Sequence, residues 1–333
     1  MNISVCIIGR DEEKVIEQCL EALVKYDFEI VFLDTGSIDR TKEIVAGYTQ
    51  KIYEFPWCDD FSAARNFCAS KATNDWVLCI DCDEVLQPLN IKELGRWLRD
   101  ADGCVGAICQ KNLVPASEDQ GEYYLKCLQA RLYNRKQYEY KYRIHEQLTP
   151  IDEGCEPMAL EAPIEVLHKG YVAAGSEVFE AKRKRNIELL EKALKEADGE
   201  DAAFFYYQLG QSYNGYDNAR AMECFEESVS RTGLVNKGYL ISLVTDYGYL
   251  LEENGMLEKA LYLVWPYKEL LSNYSDYNYL VAVIFVKLGG YENAREFLVK
   301  AMGASKCIDA RTKEELPKHY LEVLDKMVSL TRK

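Results

Sequence analysis

The first hundred residues alternate short apolar runs with amphipathic segments, and this alternation is the strongest constraint on the fold. Residues 3–8 and 29–34 fit strands, and the segment 12–25 between them carries its apolar side chains at helical spacing. Further strand-like runs at 52–55 and 76–81 follow segments that again fit helices. A β-α-β-α order predicts a parallel sheet covered by helices on both faces.

Polar residues mark the ends of these predicted elements. Ser37 and Asn90 are predicted N-caps of the helices that follow them, because their side chains can accept hydrogen bonds from the first helical N–H groups. Asp34 and Asp81 each follow an apolar strand. Ligands of such sheets bind where the strands reach their carboxyl ends, so both acids are candidate site residues. For Asp34 the alternative is a plain strand-turn-helix connection.

A run of acids, Asp-Cys-Asp-Glu, follows the predicted strand 76–81. Side chains alternate along a strand, so we expect Asp81 and Asp83 to share one side with Cys82 opposite. Two carboxylates this close repel each other unless a cation or proton intervenes. Mg²⁺ or Mn²⁺ commonly joins protein carboxylates to a phosphate. The pair predicts a divalent-cation site in an enzyme that handles a nucleoside diphosphate; the alternative is a polar strand end.

The composition excludes several classes of protein. With 55 acidic and 40 basic residues the net charge is −15, which disfavours non-specific binding of nucleic acid. The start of the chain has no basic segment, and no apolar run approaches the ~20 residues of a transmembrane helix, so we expect a cytoplasmic protein. Of the 12 cysteines, Cys79 and Cys82 form a CxxC, but on a strand they would face opposite sides, which predicts packing rather than a metal site.

The rest of the chain changes character twice. Residues 105–170 look rich in strands, and from about residue 176 the pattern is helical to the end. Gly255 and Gly289 are spaced by 34 residues, as are Ala260 and Ala294, and an earlier copy passes through residues 209–225. This spacing is similar to the tetratricopeptide repeat, the alternative being a generic helical bundle. We therefore predict two domains, 1–175 and 176–333. The helical domain would present a concave surface to a peptide or another domain. It could also form a homodimer.

Other candidate residues are basic or carry an imidazole. Arg65 lies on a predicted helix of small residues and could reach a phosphate, although an exposed helix arginine is the alternative. His168 follows a strand-like run, as a metal or diphosphate ligand would, and Glu146 beside His145 could act as a general base. In the basic run 182–185, two side chains share a helical face and could hold a phosphate: Lys182 and Arg185.

Four segments in order carry a family resemblance: 4–13, 32–41, 61–66 and 81–84. Their motifs are Ser-Val-Cys-Ile-Ile-Gly-Arg-Asp-Glu-Glu, Phe-Leu-Asp-Thr-Gly-Ser-Ile-Asp-Arg-Thr, Phe-Ser-Ala-Ala-Arg-Asn and Asp-Cys-Asp-Glu. Together they resemble glycosyltransferase family 2, which has the GT-A fold, a Rossmann-like and mostly parallel α/β sheet. With the helical repeats that follow, the chain resembles the sublancin S-glycosyltransferase subgroup. Arg10 and Asp11 depart from the family's usual aromatic-asparagine pair.

The resemblance assigns roles to the residues of the nucleotide pocket. It implies that Gly9, Arg10 and Glu12 line this pocket. It further implies that Asp34 recognises the uracil and that Arg65 contacts the nucleotide.

The resemblance also assigns roles around the metal and the diphosphate. Asp81 and Asp83 would form the DxD motif, with Asp83 the direct ligand of Mn²⁺ or Mg²⁺. His168 would complete the metal or diphosphate site, and Lys182 and Arg185 would hold the leaving group.

The resemblance implies a metal-dependent, inverting transfer of a sugar from a UDP-sugar, with UDP-glucose or UDP-N-acetylglucosamine expected. The acceptor would be a Cys, Ser or Thr side chain of a protein or peptide, with Glu146 as base. Two alternatives stay open. The acceptor could be a saccharide or a cell-envelope lipid, or the chain could be a repeat scaffold without activity.

Overall fold

A computed structural model of the protein describes residues 2–114, 123–152, 154–155, 157–168, 176–235 and 237–331. The chain divides into two compact units, Met1–Arg185 and Asn186–Lys333. The division lies inside a helix, Ser176–Glu196, and so falls later than the boundary predicted after residue 175. The predicted division into two functional domains stays a prediction.

The first unit holds a large sheet and short helices. Within the described ranges, the strands are β1 (Ile3–Gly9), β2 (Glu29–Asp34), β3 (Ile52–Glu54), β4 (Trp76–Cys79), β5 (Glu84–Leu86), β6 (Val105–Val114), β7 (Tyr123–Asn134), β8 (Tyr138–Lys141), β9 (Gln147–Pro150) and β10 (Ala159–His168). The helices are α1 (Ile16–Leu23), α2 (Thr41–Ala46), α3 (Phe61–Ser70), α4 (Ile91–Asp100) and the start of α5 (Ser176–Glu196).

Eight of these strands form one sheet in the order β3-β2-β1-β4-β7-β6-β10-β5, and β8 pairs with β9. The four strands at the β3 end are mutually parallel, as the sequence predicts. Beyond them β7 and β5 run antiparallel to their neighbours, whereas β6 and β10 are parallel to each other. Gly9 lies opposite Asp34 in the register of β1 and β2, so the carboxyl ends of these strands meet at one edge.

Helices cover both faces of the sheet, as predicted. Ile16 and Leu20 of α1 and Leu94 of α4 pack into one buried cluster. Ala64 and Cys68 of α3 pack into a second cluster with side chains from the other face of the strands. Each face of the parallel strands is therefore closed by apolar contacts, and polar ligands can approach them only at the strand ends.

β4 is shorter than predicted, and this overturns the strand argument for the acidic pair. The strand ends at Cys79, and the chain then turns, with the Glu84 N–H donating to the Asp81 carbonyl at 3.1 Å. Asp81 and Asp83 are therefore not alternate residues of one strand. Cys79 and Cys82 are both buried, which confirms their predicted packing role, although Cys82 lies in the turn and not on the strand as predicted.

The two predicted N-caps have different outcomes. Asn90 does cap α4, because its Oδ1 accepts from the Glu93 N–H at 3.2 Å. The Ser37 prediction is wrong, since α2 begins only at Thr41. The Ser37 hydroxyl instead accepts from the Asp11 N–H, across the gap between two loops.

The second unit consists of paired helices and short 3-10 turns. After the end of α5, the described part contains α6 (Gly199–Tyr213), α7 (Asn218–Thr232), α8 (Leu240–Glu253), α9 (Leu257–Val264), α10 (Lys268–Leu271), α11 (Ser275–Lys287), α12 (Tyr291–Gly303) and α13 (Glu315–Thr331). Among the described residues, no helix is both long and apolar enough to cross a membrane.

The predicted repeat is confirmed by equivalent positions in successive helix pairs. Gly255 and Gly289 both have positive φ, 72° and 77°, and each lies in the turn between the two helices of a pair. The alanines of the motif are fully buried in the second helix of each pair: Ala221, Ala260 and Ala294. The spacing therefore reflects one local geometry, a left-handed turn followed by a close helix crossing.

Gly210 illustrates how closely these helices approach. A Cβ at this position would lie 2.5 Å from the ring of Phe225, which is itself fully buried. We expect Gly210→Ala to lower the free energy of unfolding by about 1–2 kcal/mol, because overpacking exceeds the gain in helix propensity. Urea denaturation measures the change. Gly303→Ala is the matched control, since nothing lies within 4 Å of its added Cβ; an equal loss in both variants would contradict the packing argument.

A polar cluster at the other end of the strands fixes the register of β1, β2 and the segment before β4. The Glu29 carboxylate accepts hydrogen bonds from the side chains of Ser4, Lys51 and Thr73 and from the Thr73 N–H. Burial raises the pKa of Glu29, but these hydrogen bonds outweigh it and lower the pKa to about 2. The folded state therefore favours the ionised carboxylate.

Because the pKa of Glu29 is lower in the folded state, its contribution to stability is present above the ordinary pKa of about 4.3 and disappears as the pH falls towards 2. We expect Glu29→Gln to lose about 1–2 kcal/mol of unfolding free energy at neutral pH, with a smaller difference in acid. Urea titrations at several pH values test this. Glu54→Gln, at an exposed acid, should show little change at any pH.

Candidate active site

The predicted site lies where β1, β2 and β4 end. Gly9, the last residue of β1, packs so closely that an added Cβ would lie 2.7 Å from the Cys82 sulfur. Its carbonyl accepts from the N–H of Thr35, which follows β2. The absence of a side chain at Gly9 thus allows the turn after β4 to lie against β1, which brings the acidic segment to the strand ends.

Asp34 is buried at the end of β2 and shapes the turn that follows. Its carboxylate accepts from the N–H groups of Gly36 and Ser37 at 3.1–3.3 Å and lies 3.8 Å from Lys42 Nζ. Gly36 takes φ 112°, which favours glycine. The structure thus supports the turn-forming role that the sequence left open, and recognition of a base by Asp34 stays a prediction.

Reciprocal hydrogen bonds join the loops after β1 and β2. Asp11, with φ 57°, accepts from the Ile38 N–H at 2.8 Å, and Asp39 accepts from the Glu13 N–H at 3.0 Å. Arg10 is exposed beside Asp11, 3.7 Å away. These contacts give the two loops one fixed arrangement at the mouth of the site.

Glu12 is half-buried in this arrangement and faces other acids. Burial, together with the charges of Asp83, Asp39 and Asp81, raises its pKa to about 7, and Lys182 acts in the opposite direction. The Glu12 N–H is held by Thr41 Oγ1 at 2.7 Å. The predicted pocket residue therefore lies within electrostatic reach of the acidic segment.

Two arginines hold Asp81. Arg65 Nη2 donates to one carboxylate oxygen at 2.9 Å, and Arg131 Nη2 donates to the other at 2.8 Å. Arg65 Nε donates in addition to Glu146 Oε1 at 2.6 Å. Burial raises the pKa of Asp81, but the charges of Arg131 and Arg65 outweigh it and hold the pKa well below its ordinary value.

This network corrects two expectations. The charge of Asp81 is compensated by guanidinium groups, so the repulsion argument does not require a cation at this carboxylate. Arg65 is almost fully buried, so its alternative as an exposed helix arginine is wrong. Sequence reasoning missed Arg131; the available signal was a charged residue within an otherwise strand-like run, in the strand that pairs with β4.

Glu84 is a second residue that the sequence did not single out. Its side chain is 1% exposed, and its two oxygens accept from the Asp81 N–H at 2.8 Å and from Gln110 Nε2 at 2.5 Å. Burial, with the nearby charge of Asp81, raises the pKa of Glu84. The Glu84 side chain therefore stabilises the acidic turn by accepting a hydrogen bond from its backbone.

Asp83 and His168 form the pair best suited to a divalent cation. Asp83 Oδ2 and His168 Nε2 lie 3.1 Å apart. Two ligands about 2.1 Å from one ion, at a right angle to each other, lie about 3 Å apart, so the geometry fits a shared metal. Among the side chains that the structure describes, no group of three or more such ligands occurs. Two protein ligands suit an ion that also binds phosphate and water.

His168 carries a second contact, because its Nδ1 lies 2.7 Å from Asn112 Oδ1. Burial lowers the pKa of His168, but the hydrogen bond to Asp83 and the surrounding carboxylates outweigh it and raise the pKa. The prediction that His168 meets the acidic segment agrees with this geometry.

The proposed base, Glu146, is paired with Arg65, and His145 precedes it in the chain. Burial raises the pKa of Glu146, but the ion pair with Arg65 outweighs it and lowers the pKa. His145 adopts φ 54°, and burial lowers its pKa; its Nε2 is buried without a hydrogen-bond partner in the part of the chain that the structure describes. A catalytic role for either residue stays a prediction.

Lys182 and Arg185 are the basic residues of α5 that the sequence predicts to hold a phosphate. Lys182 is exposed, and the Arg185 guanidinium lies over the Phe61 ring, 5.5 Å from its centroid. A phosphate contact for these two side chains stays a prediction. Residues 169–171, which directly follow His168, lie outside the described residues.

Comparison with known proteins agrees with the motif order. Residues 4–159 match the family model described as Glycosyl transferase family 2. The glycosyltransferase SunS of Bacillus subtilis strain 168 is 27% identical over 274 residues, which cover 78% of this chain and 61% of SunS. A TPR repeat-containing protein of Synechococcus elongatus is 44% identical over 84 residues, which cover 25% of this chain and 21% of that protein. The chain thus spans only part of the length of either relative.

Among solved structures, S. aureus TarS 1-349 in complex with UDP-GlcNAc aligns over 90% of this chain and 90% of that chain, with 15% identity and a TM-score of 0.41. MamA aligns over 40% of this chain and 75% of that chain, with 15% identity and a TM-score of 0.33. TM-scores this low do not establish a shared fold, so the assignment rests on the sequence match. The chain therefore contains a glycosyl transferase family 2 domain, which spans residues 4–159.

Proposed function

We propose that the chain is a metal-dependent, inverting glycosyltransferase that moves a sugar from a UDP-sugar to a Cys, Ser or Thr side chain of a protein or peptide. The observation that carries the proposal is the Asp83–His168 pair, 3.1 Å apart, which joins the acidic segment of the family 2 domain to the end of β10, just beyond the matched residues. Asp83 lies in an acidic segment next to the buried Arg65 and the largely buried Arg131, a combination suited to a cation and a diphosphate.

The metal is assigned to Asp83 and His168, as Mn²⁺ or Mg²⁺. When bound, the cation supplies positive charge close to the diphosphate and so favours its departure. The protein provides few ligands, which leaves coordination positions for phosphate oxygens and water. Asp81 serves this site by its fixed position between Arg65 and Arg131 rather than as a second free carboxylate.

The donor would lie along the ends of β1 and β2, with the base near Asp34 and the ribose and diphosphate nearer Gly9, Glu12 and Arg65. The loops that line this path are joined by reciprocal hydrogen bonds, so little reorganisation is needed on binding. UDP-glucose and UDP-N-acetylglucosamine are the sugars to test first. Lys182 and Arg185 would add positive charge at the leaving group.

The proposed reaction is a single displacement. The acceptor sulfur or oxygen attacks the anomeric carbon, the bond from that carbon to the UDP oxygen breaks, and the acceptor proton passes to a base, with Glu146 the candidate. A carboxylate whose pKa is lowered by an ion pair is a weak base. This favours a thiol acceptor, which needs less help from a base near neutral pH than a hydroxyl does.

A peptide or protein acceptor is supported by the helical unit. Its helix pairs follow the 34-residue spacing of repeats that commonly present extended binding surfaces. The similarity to SunS covers most of this chain and thus reaches beyond the family 2 domain. A saccharide or lipid acceptor would leave the helical unit without a role in substrate binding.

The first test is release of UDP from a panel of UDP-sugars with Mn²⁺, followed by mass spectrometry of peptides that contain Cys, Ser or Thr. We expect Asp83→Ala to reduce release at least about 100-fold, because a cation ligand at the developing charge is lost. Asp100→Ala, at the exposed end of α4, should match the wild type. If no donor yields metal-dependent UDP, the chain is not this enzyme and the scaffold alternative gains support.

A second test concerns Arg131, which the sequence did not reveal. Removing one partner of a partly buried ion pair leaves the other charge without its partner, so we expect Arg131→Met to lose about 1–3 kcal/mol of unfolding free energy. In a double-mutant cycle, Arg131→Met and Asp81→Asn should couple by more than about 1 kcal/mol, as contacting residues do. Arg96→Met, on an exposed face of α4, provides the control cycle, for which we expect no coupling to Asp81→Asn.

A further inference from the structure

A continuous chain of hydrogen bonds connects His168 to Glu84 through three side chains of the β6–β7 pair. His168 Nδ1 lies 2.7 Å from Asn112 Oδ1, and Asn112 Nδ2 donates to the Cys127 sulfur at 3.3 Å. The Cys127 thiol lies 3.2 Å from Gln110 Oε1, and Gln110 Nε2 donates to Glu84 Oε1 at 2.5 Å. The nucleotide and metal roles described above use none of the three intermediate side chains.

The hydrogen bonds in this series all run in one direction, with each donor facing towards Glu84. The Asp81 N–H can only donate, and it donates to Glu84 Oε2. The Glu84 carboxylate accepts the Gln110 amide N–H, which turns Gln110 Oε1 towards Cys127. The thiol then donates to Gln110, and its sulfur accepts from the Asn112 amide.

The same direction of donation determines which nitrogen of His168 carries a hydrogen. With its amide N–H group turned to Cys127, Asn112 presents its oxygen to His168 Nδ1. An amide oxygen cannot donate, so Nδ1 must carry a hydrogen to make this contact. Nε2, which faces Asp83, is then the nitrogen whose lone pair becomes available when its proton leaves.

We infer that Asn112 is a positioning residue that fixes His168 in the Nδ1–H tautomer and so directs Nε2 towards the cation, an inference that rests on the proposed function for the metal. Histidine ligands generally donate their other ring N–H to a fixed acceptor, which orients the ring and raises the basicity of the ligand nitrogen. Gln110 and Glu84 are buried, so breaking a hydrogen bond at this end of the series would leave a buried polar group unpaired, which is costly.

Two measurements test the role of Asn112. In metal-free Asp83→Ala protein at alkaline pH, where no Asp83 carboxylate competes for a proton on Nε2, long-range proton–nitrogen NMR correlations should show His168 as the Nδ1–H tautomer. The chain has three histidines, and His168→Gln in the same background assigns the signal. Mn²⁺ binding, followed by electron paramagnetic resonance of the free ion, should weaken about 10–100-fold in Asn112→Leu. Both readouts are independent of sugar transfer.

Three variants separate positioning from general damage. Asn112→Asp keeps an acceptor for Nδ1 and should retain both the tautomer and the Mn²⁺ affinity. Cys127→Ala removes the group that orients the Asn112 amide. It should lower the population of the Nδ1–H tautomer and the Mn²⁺ affinity, each by less than Asn112→Leu does. This variant keeps the inference testable if Asn112→Leu does not fold. Lys111→Leu is the matched control on the same strand, because its side chain pairs with Glu165 on the other face.

The outcomes distinguish this inference from the proposed function. Equal Mn²⁺ affinity in the wild type and Asn112→Leu, with binding lost in Asp83→Ala, overturns the inference and leaves the proposed function intact. If the wild type binds no Mn²⁺, the metal part of the proposed function fails. The tautomer measurement then decides by itself whether Asn112 positions the His168 ring. An Nε2–H tautomer in Asp83→Ala, where Asn112 alone directs the ring proton, overturns the inference in either case.

Discussion

The ion pairs around Asp81 are the interaction on which the candidate site depends. Arg65 comes from α3, Arg131 from β7, and Glu146 from the segment before β9, and the three meet at the turn after β4. Each guanidinium is largely removed from water, so it is tolerated only because carboxylates lie against it. The position of the acidic turn, and with it the Asp83–His168 pair, is thus set by charge compensation between elements far apart in sequence.

The sequence predicted the features that arise from local patterns. Strand and helix periodicity identified the parallel strands and the covering helices, because burial of one face leaves a regular spacing of apolar residues. The 34-residue spacing identified the helix pairs, since Gly255 and Gly289 occupy the same left-handed turn. The family resemblance put Asp83 and His168 in one metal site, and the structure places their side chains 3.1 Å apart.

The errors and omissions concern partners that lie far away along the chain. The strand alternation was extended through Asp81 because nothing local shows that the chain turns after Cys79. Ser37 was assigned to a helix because its competing partner, the Asp11 N–H, lies in another loop. Arg131, Glu84 and Asn112 could not be assigned roles, since a polar residue in a strand acquires one only when the sheet order supplies its neighbour.

The sheet order has a consequence for how the site is assembled. β1, β2 and β4, which carry the first acids, are complete before residue 80, but β7 and β10 supply Arg131 and His168 much later in the chain. Until those strands dock, Asp81 has Arg65 but lacks Arg131, and Asp83 lacks His168. Formation of the site is therefore a late, long-range event in folding, and a fragment that ends near residue 100 would contain the donor-side motifs and Arg65 but would lack Arg131 and His168.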